Sequence, residues 1–179
     1  MSNIDMKTMN IIFSALLGLS PLAGICGTAT ADFANPEDFT DFSVSGMSEE
    51  KTLNIFEGEL EQELERIADK YLAEGETLTL VFTDIDMAGD IQPWRNRTNS
   101  DIRYVEAIYP PRLQFSYSLA DADGNILKEG EAIESDLGFQ MNISASVRGK
   151  NMSFFYELEL LSDWARKELG HKDVDSSGD

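Results

Sequence analysis

The sequence predicts an α+β fold, or a mixed-sheet α/β fold: a single sheet of about four strands packed with two amphipathic helices. Three observations lead there. Apolar residues recur at three- and four-residue spacing in two long segments, and at two-residue spacing in several short ones between them. The 179 residues, less a leader, suit one domain. Two helices that are apolar on one side cannot each bury that side alone, and a shared sheet covers both.

The first segment reads as an address. Lys7 precedes the apolar run Met9 to Leu19, Ser20-Pro21 ends it, and Ala29-Thr30-Ala31 offers a small-residue exit. This is the layout of a secretory signal peptide, too short to span a membrane. Residues 1–31 are expected to be removed, leaving a single domain over 32–170 and a disordered acidic tail over 171–179. Cys26 is the only cysteine, and Ile25 before it is too bulky for lipoprotein processing, so lipid attachment is not expected. The mature chain then lacks cysteine and depends on an ordinary core.

Residues 32–50 look irregular, with a turn at Asn35-Pro36 and with Phe39 and Phe42 tucked inward. A helix follows over about 50–73, its stripe formed by Leu53, Phe56, Leu60, Leu64, Ile67 or Ala68, and Tyr71, with Gly75 closing it. Its many glutamates read as a solvated face. From Thr77 the period becomes two, with Leu78, Leu80 and Phe82 on one side of a strand. Residues 89–100 read as a long exposed loop, and 101–105 as a short strand or turn. A hairpin follows, with Leu113, Phe115, Tyr117 and Leu119 going out and a return ending near Ile133. Asp121-Ala122-Asp123-Gly124 makes its turn. A further strand is expected around Ile143, Ala145 and Val147. Ser153 caps a final helix with Leu158, Leu161, Trp164 or Ala165, and Leu169 on its packed side.

The formal charge of -19 disfavours nucleic acid as a partner. Hydrolase readings lack parts. There is no Gly-x-Ser-x-Gly elbow, and the lone histidine, His171, sits beside the tail. Asp84, Asp86 and Asp90 form the one candidate metal cluster, and calcium would be its cofactor. Ala88 and Arg95 occupy positions where a calcium-binding loop needs oxygen ligands, so no cofactor is expected. The alternative function, a metal-assisted hydrolase, rests on this cluster alone.

Arginine and aromatic residues concentrate in one region: Trp94, Arg95, Arg97, Arg103, Tyr104, Tyr109 and Arg112. Such residues anchor interfaces, here with an envelope protein, a peptide or a glycan. The same arginines can instead fasten the loop. At least one of Arg103 and Arg112 is expected to hydrogen-bond Asp84, Asp86 or Asp101 and hold residues 89–100 beside the sheet.

The stretches Asn35 to Asp41, Leu80 to Asp90 and Asp101 to Arg112, with the Phe115-Ser116-Tyr117 strand and its Asp-Ala-Asp-Gly turn, resemble domain-of-unknown-function family 3016. This family comprises secreted proteobacterial proteins. The resemblance implies a Gram-negative envelope protein of the periplasm and brings no catalytic residues with it. The expected function is therefore a non-enzymatic binding or accessory domain of the envelope.

Overall fold

The computed structural model describes residues 27–95, 98, 101–141 and 152–170. Strand β1 (Thr28–Phe33) and strand β2 (Thr77–Asp86) run parallel, joined by helix α1 (Glu49–Tyr71), which crosses over between them. Strands β5 (Arg112–Ala120) and β6 (Ile126–Ser135) extend the sheet antiparallel, giving the order β1-β2-β5-β6. Two short strands, β3 (Asp90–Ile91) and β4 (Arg103–Tyr104), pair in a separate ribbon. Helix α2 (Phe155–Glu168) completes the α+β arrangement.

Local chemistry accounts for the elements. The Ser48 hydroxyl accepts from the Lys51 N–H at 3.4 Å at the start of α1, satisfying one of the donors a helix leaves free there. Gly75 has a φ of 80°, which only glycine adopts without strain. The helix buries Phe56, Leu60, Leu64, Ile67 and Tyr71, and β2 buries Leu78, Leu80 and Phe82. Phe56 sits at the junction of the layers. Its ring meets Phe33 at 5.9 Å, Phe82 at 6.0 Å and Phe154 at 4.9 Å. These edge-to-face contacts add to the burial of the rings. Leu158, Leu161 and Trp164 bring α2 onto the same core.

The structure bears on four expectations. Residues 28–31, assigned to the leader, are four of the six residues of β1. The described sheet thus draws on residues that cleavage after Ala31 would remove. Thr28-Ala29-Thr30-Ala31 satisfies the small-residue requirement of a cleavage site and the two-residue period of a strand at once. Residues 89–100 are not all loop, since β3 lies within them and pairs with β4. Ser153 does not cap α2. The Glu59 carboxylate of α1 accepts from the N–H groups of Ser153 and Phe154, at 2.8 and 3.0 Å. A glutamate read as solvated thereby ties the two helices together. The strand expected around Ile143, Ala145 and Val147, and the tail with His171, lie outside the described residues. Among the described residues, no helix is long and apolar enough to cross a membrane.

Candidate functional site

Arg103 organises the region where the sequence concentrates arginine and aromatic residues. It lies on β4, and its side chain is only 8% exposed. The guanidinium meets the Asp41 carboxylate with two prongs, at 2.9 and 2.8 Å. It also donates to the carbonyls of Gly89 at 2.9 Å, Asp41 at 3.1 Å and Ser43 at 2.9 and 3.2 Å. The planar fork of arginine suits this simultaneous grip on a carboxylate and surrounding carbonyls. Asp41 itself sits at a φ of 41°, a conformation non-glycine residues seldom adopt. Gly89 is required on the other side. A Cβ there would come within 2.6 Å of the Tyr104 carbonyl oxygen.

The expected anchoring thus exists, with a different partner. Arg103 selects Asp41, sixty-two residues upstream, rather than Asp84, Asp86 or Asp101. Arg112 approaches Asp84 only to 3.8 Å, an ion-pair distance longer than a hydrogen bond, and its side chain is 42% exposed.

The three aspartates do not converge. Asp84 accepts from the Thr40 N–H at 2.7 Å and from the Gln114 side chain at 3.0 Å. It is thereby committed to holding the entry loop against the sheet. Burial pushes the Asp86 carboxyl above its ordinary value, and the nearby charges of Asp41 and Asp84 add to this. Asp90 is on β3. Among the described residues, no group of three or more His, Cys, Asp or Glu side chains could hold a metal ion.

Around this frame lies a polar and aromatic surface. Arg95 pairs with Glu106 at 2.8 Å and lies 4.7 Å from the centre of the Tyr104 ring. The Arg95 hydrogen bond, followed by that of Gln92, holds the Glu106 carboxyl below the usual range. Tyr109 secures the turn through its backbone. Its carbonyl accepts from Gly89 at 2.9 Å, and its N–H donates to Glu106 at 3.0 Å. Trp94 and Ile108 project from these tied segments, each 73% exposed. Arg97 lies outside the described residues. The sequence therefore brought together Trp94, Arg95, Tyr104 and Tyr109 on one pair of segments, while Arg103 belongs beneath them.

One buried acid escaped the sequence reading. Glu157 on α2 accepts from the Ala88 N–H at 2.7 Å, and burial pushes its carboxyl up to about 7. Its signal was positional. Glu157 stands four residues before Leu161 and seven before Trp164, on the packed side of the helix.

No curated protein and no solved structure matches the chain. The model of one family covers residues 27–167, a span that starts beside β1 and takes in the six strands found among the described residues. By that match the chain belongs to the family described as protein of unknown function (DUF3016).

Proposed function

We propose that the protein is a non-catalytic binding or accessory domain of the Gram-negative envelope, working in the periplasm. Its contact surface is the pair of segments that Arg103 fastens. The observation carrying this reading is the exposure of Trp94 and Ile108 on a frame held by a nearly buried arginine. Large apolar side chains on a preordered support lose little conformational freedom on binding, and tryptophan and arginine dominate many interfaces. Of the three aspartates that a metal-assisted hydrolase would need, Asp84 is instead spent on Thr40 and Gln114.

Secretion requires a cleavage point compatible with β1. Cleavage after Cys26, with small Gly24 at the third position before the cut, leaves Gly27 first and the strand whole.

The native size of the protein in envelope extracts tests the contact surface. The wild-type chain is expected in an assembly larger than the monomer. The double variant Trp94→Ala, Ile108→Ser is expected to run as a monomer with unchanged thermal stability. A wild-type chain that is already monomeric, or a double variant that keeps the assembly, would contradict the reading.

A further inference from the structure

We propose that the open edge of β1 is a strand-addition site for an extended, lysine- or arginine-bearing segment of another protein. This surface is separate from the Trp94 and Ile108 segments. Three features of the β1–α1 unit support it.

The first is the unpaired edge. The N–H groups of Thr28 and Ala34 both donate toward β2, to the carbonyls of Glu76, just before that strand, and of Phe82 within it, each at 2.8 Å. Successive residues of a strand direct their backbone groups to opposite sides. Ala29, Ala31 and Phe33 therefore turn their N–H and C=O groups outward, away from β2. Among the described residues no strand lies beyond them. Neither proline nor lysine, the usual guards of an exposed edge, occurs in β1.

The second is the space beside it. A groove of about 940 Å³ separates β1 from α1, with Ala29, Ala31, Leu60 and Leu64 among the apolar residues lining it. α1 runs back along β1, since Phe56 meets Phe33 at one end and Leu72 lies against Gly27 at the other. An added strand would lie along the same line.

The third is charge, which selects the occupant. Glu57, Glu61 and Glu65 line the groove one helical turn apart, and among the described residues no lysine or arginine lines it. Among the described residues none of these three carboxylates has an ion-pair partner. Residues four apart on a helix are separated by roughly 6 Å, and alternate residues of a strand by about 6.6 Å. Cations on every second residue of an added strand thus fall opposite these glutamates in turn. Pairing with a second copy through the same edge would instead bring two glutamate rows together.

The test uses the purified protein and two end-capped probes, a ten-residue peptide alternating lysine with threonine and its glutamate–threonine counterpart. The lysine peptide is expected to bind, to protect the Ala29, Ala31 and Phe33 amides from hydrogen exchange, and to weaken at least tenfold with added salt. Ala31→Pro removes an outward donor that β2 does not use, and is expected to weaken binding at least tenfold. The triple variant Glu57→Lys, Glu61→Lys, Glu65→Lys is expected to prefer the glutamate peptide. Should either variant fail to fold, a lysine peptide N-methylated at alternate residues probes the same hydrogen bonds and is expected not to bind. Absence of binding, equal binding of the two peptides, or protection confined to other amides overturns the proposal. Concentration-dependent dimerisation that protects the same three amides also overturns it, giving the edge to a second copy.

Discussion

Arg103 makes six side-chain hydrogen bonds and shows solvent almost none of its surface. Truncating it leaves the Asp41 carboxylate and three carbonyls without their donor. Arg103→Ala is expected to cost about 2–5 kcal/mol in denaturant unfolding, the range for breaking a shielded pair. Arg103→Lys should recover only part, because a single ammonium cannot reproduce the fork. A loss below ~1 kcal/mol would place Arg103 with ordinary surface pairs. Glu157 gives a prediction of opposite character. The unfolded chain releases this proton near 4.5 and the folded chain near 7. The folded state holds the extra proton between those values. This group's contribution is therefore complete below 4.5, falls as pH rises, and is lost above about 7, a change on the order of 3 kcal/mol. Glu157→Gln keeps a neutral side chain and an acceptor for Ala88. It should match the wild type near pH 4.5 and exceed it at pH 8, as measured by thermal unfolding. An equal difference at both pH values would contradict this. The need for an arginine anchor was legible in the sequence, from a loop with few apolar residues. Asp41 was not, because only the fold brings a residue from the entry loop to β4.

At the scale of elements, both helices and the β5–β6 hairpin were legible because their periodicities are long and unambiguous. The hairpin turn also follows from local chemistry. The Asp121 carboxylate accepts from the N–H groups of Asp123 and Asn125, both at 2.9 Å, and Gly124 takes a φ of 83°. Two elements were hidden for physical reasons. β3 is two residues long, below the length at which alternation has meaning, and it pairs with β4, which falls in the stretch 101–105 read as a short strand or turn. β1 was hidden by its small side chains. A chain starting at Asp32 keeps only Asp32 and Phe33 of that strand. It uncovers Leu60 and Leu64, which line the groove beside β1. Chains starting at Gly27 and at Asp32 should therefore differ sharply, the first giving a cooperative thermal transition and the second a lower midpoint or none. Equal midpoints would show that β1 adds nothing to the sheet.

At the scale of the whole molecule, the charge of -19 is unevenly used. Asp41 holds an arginine, Asp84 an entry loop and Glu59 the start of α2, whereas Glu57, Glu61 and Glu65 stand along an open groove. Composition made the acidic excess plain but could not sort its members, because their roles depend on which elements the fold sets side by side. The proposed contact surface lies on the segments that Arg103 fastens. Site-specific photo-crosslinking in intact cells tests it most directly, with the reactive residue at position 94 or 108 and, as a control, at exposed Glu50 of α1. One discrete adduct is expected from 94 and from 108, absent from 50, and lost from 108 when Trp94→Ala is added. The same adducts from all three positions, or none from 94 and 108, would contradict it.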